Sequence, residues 1–231
     1  MSEKDVTTLA LTVYERLLGY YGEPALKVQK PPLDELIQTI LSQNTSDANS
    51  DRAYASLRRA YPTWESVRAA DTKALAEAIR VGGLGRIKAP RIQQIIAHLE
   101  QERGSATLDF LDEMPLDEAR AYLLSLPGVG PKTAACVLLF SLHKPALPVD
   151  THVYRVSQRL GLIGEKVNAE QAHTLLETLI PPELYYPFHL LLIQHGRTLC
   201  SAQRPQCGAC PLADLCPFLA SLRPEDDYSA N

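Results

Sequence analysis

Residues 126–150 read LPGVGPKTAACVLLFSLHKPALPVD, and the rest of the chain is organised around them. Leu126-Pro127-Gly128-Val129-Gly130-Pro131 is too rich in glycine and proline for helix, so it predicts a hairpin. The two glycines around Val129 let the backbone turn with amide N–H groups facing outward. Pro131 suits the first position of a following helix, where its missing N–H is not needed. Lys132 then opens an apolar helical run, and a second proline-marked turn closes on Asp150. Outward amides at a helix N-terminus suit an anion, because unpaired donors and the helix dipole both favour negative charge. A plain corner between two helices would read the same way on these residues alone. Asp150 before THVYRVSQRL likewise reads as an ordinary N-cap.

Working outward, apolar residues recur at helical spacing nearly everywhere. Val6, Leu9, Val13, Leu17 and Leu18 predict a first helix that ends at Gly22. Pro31-Pro32 starts a second, with Leu33, Leu36, Ile37, Ile40 and Leu41 on one side. The polar run 43–47 breaks it, and Ser46 or Asp47 can cap the next helix. Short helices follow Pro62-Thr63 and Asp71-Thr72. After the loop Val81-Gly82-Gly83-Leu84-Gly85 a helix is expected over 88–102, with Pro90 in its first turn. Further helices are expected from about Pro115 to Ser125 and near 133–142, 151–160, 168–179 and 184–197. No strand pattern emerges, so the chain reads as all-α with about ten or more helices. The last residues, PEDDYSAN, read as a frayed acidic tail.

At 231 residues the chain can hold one large domain or two small ones, and 45% hydrophobic with 22% charged residues is a globular balance. Its start carries charges within the apolar stretch and reads as no signal peptide. No apolar run reaches membrane-spanning length, so a cytoplasmic protein is expected. A net charge of -4 is not the footprint of a phosphate binder, but it hides a local contrast. Arg80, Arg86, Lys88, Arg91 and Arg103 cluster within residues 80–104, whereas 105–119 carries only acids. One face could therefore be basic and the far side acidic.

Cysteine usage is uneven. Cys136 sits alone on an apolar helix and reads as core, while Cys200, Cys207, Cys210 and Cys216 crowd into seventeen residues. Without a secretion signal, such a cluster means metal or iron–sulfur rather than disulfides. The spacing Cys-x6-Cys-x2-Cys-x5-Cys has one short knuckle and by itself leaves zinc and iron–sulfur equally open. His143, His152 and His195 are not spaced as a metal site, and His195 reads as structural.

LPGVGPKTA followed by VDTHVYRV resembles the helix-hairpin-helix DNA glycosylase superfamily, and most nearly its endonuclease III branch. The cysteine spacing after HGRTLC resembles the same branch, and the similarity extends over roughly residues 25–218. It implies two all-α lobes: a helical barrel over 25–143 that includes the hairpin, and a second lobe of 1–24 with 144–231. The cysteine loop 200–216 would ligate a [4Fe-4S] cluster whose role is to fold that segment. Lys132 would attack the sugar C1′ of a damaged nucleotide, and Asp150 would stabilise the cationic transition state. Gly128, Val129 and Gly130 would hold phosphate, and Arg204 could contact it.

Extruding a base from a duplex leaves a gap to be filled. The resemblance assigns Leu84 as an apolar wedge and Asn44 as the residue entering the vacated stack. Where relatives carry a glutamine this chain has Asn44, and where they carry a carboxylate near the base pocket it has Ser125. Both departures bear on which base is removed rather than on the reaction. The acidic stretch 105–119 reads as an insertion. The implied function is a bifunctional glycosylase and abasic-site lyase for oxidised pyrimidines such as thymine glycol. A monomer is expected, acting on duplex DNA and at the nucleoid if the source is bacterial. The alternatives are a mismatch thymine, uracil or adenine glycosylase, or a non-catalytic DNA-binding protein.

Overall fold

The computed structural model describes residues 3–26 and 28–221, and the tail read at 224–231 lies outside them. Among the described residues there is no strand, as the sequence pattern requires. The helices are α1 (Glu3–Tyr21), α2 (Pro32–Ser42), α3 (Asp47–Ala60), α4 (Trp64–Ala69), α5 (Thr72–Ala78), α6 (Gly85–Arg103), α7 (Leu116–Ser125), α8 (Pro131–Phe140), α9 (Thr151–Arg159), α10 (Ala169–Leu179), α11 (Tyr185–Thr198) and α12 (Pro217–Ser221). Single 3-10 turns punctuate the connections.

They form two compact units, one of Val28–Lys144 and one of Met1–Lys27 with Pro145–Asn231. In the first, α2 packs on α8 and α3, α6 on α4 and α5, and α7 on α8. Leu36, Ile37 and Ile40 of α2, Ile92 and Ile95 of α6 and Leu138 of α8 are wholly buried there. In the second, α11 packs on α9 and α1, and α1 also on α10. Val13, Leu17, Val153, Phe188, Leu191 and Leu192 form its interior. Burial of each such side chain contributes roughly 1.5–3 kcal/mol.

Polar residues set the helix starts. Ser46, not Asp47, caps α3 by accepting from the Asn49 amide. Thr63 and Ser66 form a capping box on α4, and Asp71 accepts from the amides of Lys73 and Ala74. The helix expected from 88 starts at Gly85 instead, behind a left-handed Leu84. Pro90 therefore falls in its second turn, where the missing N–H leaves the Arg86 carbonyl without its helical donor. The acidic stretch after α6 is ordered: Leu108 and Leu111 are buried, and Asp109–Asp112 make a 3-10 turn. Arg103 lies 4.1 Å from the Phe110 ring, which meets Tyr122 edge-on at 5.0 Å.

Candidate functional site

The hairpin between α7 and α8 is built on one left-handed glycine. Gly128 has φ 73°, and a Cβ placed on it would come within 2.1 Å of Arg91 Nε. Arg91 in turn donates to Gln43 Oε1 at 3.3 Å, and Gln43 Nε2 donates to Thr133 Oγ1 at 3.5 Å. The hairpin is thereby tied to the end of α2. Gly130 is different: φ -102° and ψ 178° are open to any residue, and nothing crowds its missing Cβ. Only one of the two glycines is thus required by the turn itself. Val129 is buried and its amide donates to Leu126 O at 3.1 Å. Among the described residues the amides of Gly128, Gly130 and Lys132 make no such backbone bond. Gly130 caps α8 without a side chain, Pro131 follows it, and Lys132 stands half-buried in the first turn. Gly128→Ala is expected to destabilise by about 1–2 kcal/mol from its backbone alone, and further by expelling Arg91. Thermal melting checks it, with Gly130→Ala expected to melt near wild type.

Asp150 belongs to the other unit, and its approach is fixed by buried polar groups. The Leu147 amide donates to Glu177 Oε1 at 2.9 Å. His173 Nδ1 donates to Leu147 O at 3.0 Å and His189 Nδ1 to Pro148 O at 2.8 Å. Asp150 Oδ1 then accepts from the amides of His152 and Val153, both at 2.8 Å. The N-cap reading is therefore correct, and both cap bonds end on one oxygen. Oδ2 takes part in neither.

The four C-terminal cysteines line one cavity together with Val156, Arg159, Leu160, His195 and Leu199. None of the chain's cysteines forms a disulfide, and Cys136 is buried in α8 as expected. No three His, Cys, Asp or Glu side chains among the described residues close on a point fit for one metal ion. The thiols ring a space instead. Arg159 donates to Cys200 Sγ at 3.3 Å and to the carbonyls of Ser201 and Ala202. The Leu212 amide donates to Cys210 Sγ at 3.4 Å. Burial pushes the Cys210 thiol up to about 11 and raises that of Cys216. His195 has Nδ1 3.1 Å from Tyr21 Oη and Nε2 3.6 Å from Cys210 Sγ, and burial lowers its pKa to about 4. Donors to sulfur and a thiol-only set fit an iron–sulfur group.

Asn44 and Leu84 are both exposed, and both are left-handed non-glycine residues, with φ 56° and 54°. Arg204 is exposed, and Ser125 Oγ donates to Tyr122 O. The basic cluster over 80–104 is not wholly a surface, because Lys88 is 1% exposed and points inward. The Val28–Lys144 unit thus brings together the hairpin, Lys132 and the Asn44 and Leu84 loops. Asp150, the cysteines and Arg204 belong to the second unit. Sequence reasoning counted Arg91 only as one of a basic cluster and passed over Arg159, His173 and His189, and the roles of all four come from partners distant along the chain.

Residues 37–182 match the family model of the HhH-GPD superfamily base excision DNA repair protein. Residues 200–216 match the iron-sulfur binding domain of endonuclease III. The chain is 38% identical over 187 residues to endonuclease III of Thermotoga maritima, covering 81% of this chain and 83% of that one. It is 40% identical over 169 residues to a candidate DNA glycosylase of Arabidopsis thaliana, covering 73% of this chain and 57% of that one. The chain thus spans little more than half the length of the plant relative. A solved non-covalent endonuclease III–DNA complex superposes with TM-score 0.80 at 31% identity, covering 95% of this chain and 97% of that one. A trapped endonuclease III–DNA covalent intermediate superposes with TM-score 0.79 at 31% identity, covering 95% and 98%. The chain belongs to the endonuclease III family of the HhH-GPD superfamily.

Proposed function

We propose that this chain is a base-excision repair DNA glycosylase with abasic-site lyase activity, removing oxidised pyrimidines from duplex DNA. The observation that carries the reading is Lys132, a primary amine in the first turn of α8 behind the left-handed Gly128 hairpin. An enzyme of this family has been caught covalently on DNA, and a lysine amine is the group suited to that. Its neutral form attacks C1′ of the damaged nucleotide; a C–N bond forms, and the glycosidic bond breaks with the base taking its electron pair. The C1′–O4′ bond of the resulting aminal then breaks as the nitrogen forms its second bond to C1′ and gives up a proton, O4′ leaves as a hydroxyl, and this Schiff base acidifies the 2′ proton. Loss of that proton expels the 3′ phosphate, and water then releases the lysine. Asp150, with Oδ1 held by its cap bonds, presents a fixed negative charge to the developing oxocarbenium.

Gly128, Gly130 and the first turn of α8 receive phosphate on their amides. Val129 supports them by filling the hairpin from beneath, since its own amide is engaged. Leu84 and Asn44 fill the vacated stack, and Arg204 adds a phosphate contact from the cysteine loop. Cys200, Cys207, Cys210 and Cys216 hold a [4Fe-4S] cluster that orders the C-terminal segment, and no bond of the substrate is made or broken there. No helix among the described residues is long and apolar enough to cross a membrane. We place the protein as a monomer in the cytoplasm, at the nucleoid if bacterial. Strand cleavage at a single thymine glycol tests the reading: a protein that shifts the duplex yet leaves it whole is only a binder. Asp150→Asn keeps both cap bonds and removes the charge. We expect it to melt as wild type and to excise about a hundredfold more slowly.

A further inference from the structure

Lys88 is among the largest fully buried side chains of the described residues, at 1% exposure. Its Nζ donates to the carbonyls of Leu41 and Gln43, both at 2.7 Å, and of Gly82 at 2.8 Å. An ammonium has three donors, so this charge is fully satisfied by backbone dipoles alone. Two of the acceptors lie at the C-terminal end of α2, where the helix dipole favours a cation. Burying a lysine is unfavourable unless every donor is met, so the arrangement fixes the acceptors as firmly as the lysine. Those acceptors immediately precede two exposed left-handed residues: Asn44 directly follows Gln43, and Leu84 lies two positions after Gly82. A left-handed leucine persists only where its surroundings hold it. The Lys88 amide also donates to Leu84 O at 2.9 Å. A Cβ on Gly83 would lie 3.9 Å from Asn44 O, so the two loops run close to each other with room for little more than a side-chain carbon between them.

We propose that Lys88 is a positioning residue that locks the Asn44 and Leu84 loops into one preformed two-pronged unit for base extrusion. The inference rests on the reading of Asn44 and Leu84 as DNA-contacting residues, and the test separates the two. Full-length wild type, Lys88→Met, Asn44→Ala, Leu84→Ala and the double Asn44→Ala/Leu84→Ala variant are assayed on a thymine glycol duplex carrying 2-aminopurine beside the lesion. Lys88→Met is expected to keep its helical content and its KM for the duplex, because the hairpin contacts are untouched. Its kcat should fall about tenfold or more, and the 2-aminopurine rise on binding should shrink. A folded Lys88→Met with wild-type kcat overturns the proposal. If Lys88→Met does not fold, the double variant decides. One preformed unit predicts that it is no slower than the worse single variant; a loss equal to the product of the single losses overturns it. If both single variants excise at wild-type rate, the DNA-contacting reading has failed, and the proposal with it.

Discussion

Lys132→Gln is expected to abolish borohydride trapping of the protein on abasic-site DNA and to lower strand cleavage by about a thousandfold or more, with binding retained. Glutamine keeps a polar side chain only one atom shorter than lysine's but offers an amide nitrogen with no available electron pair, so no Schiff base can form. The effect is large because the reaction proposed here has one nucleophile and no metal-activated water to replace it. The surrounding frame should survive the change. Lys132 is half-buried at the start of α8, while the hairpin is held by Gly128, Arg91 and Gln43. Trapping at wild-type rate by the Lys132→Gln protein rules out this lysine as the nucleophile.

Loss of the thiol set is expected to have the second largest effect, on stability rather than chemistry. Cys210 and Cys216 line a cavity whose other walls include Val156 and Arg159 of α9 and His195 of α11, so ligation ties the cysteine loop to the interior of its unit. Cys210→Ser should lower iron content sharply and unfold the cysteine loop, read as lost visible absorbance, a lower melting temperature and protease cleavage near 200–216. Elemental analysis of the wild-type protein distinguishes the groups that the spacing left open. About four irons per chain with matching sulfide are expected; one zinc per chain would overturn the cluster assignment. Excision by Cys210→Ser protein that stays folded should remain near wild type, because no step passes through the cluster.

How much of this was legible in the chain follows from how local each signal is. The hairpin, the proline starts, the Asp150 cap, the Ser46-or-Asp47 cap and the helix starts after Pro62-Thr63 and Asp71-Thr72 are written within four or five residues, and sequence reading finds them. The cysteine set is legible for the same reason, as a spacing. Lys88 is the opposite case: its neighbours Arg86 and Arg91 suggest a basic surface, and only carbonyls from residues 41, 43 and 82 make its burial tolerable. Gly130 looked equivalent to Gly128, yet the conformational demand falls on one alone, because only Gly128 is left-handed, and Arg91 crowds only that one. His173 and His189 gave no signal because their partners, the Leu147 and Pro148 carbonyls, lie 26 and 41 residues away. Starting α6 at Gly85 needed a left-handed leucine at the cap, which propensity argues against.

The second unit is assembled from both ends of the chain, with Val28–Lys144 inserted between its parts. This has a bearing on birth at the ribosome. Helix α1 emerges first, but α10 and α11, against which it packs, are made more than a hundred residues later. The apolar face with Val13 and Leu17 must therefore wait uncovered while the inserted unit, contiguous in the chain, closes on its own. Nascent-chain arrest late enough for Lys144 to have cleared the exit tunnel, but before α11 emerges, should capture a folded insert behind a protease-sensitive α1, a state in which chaperone dependence would concentrate.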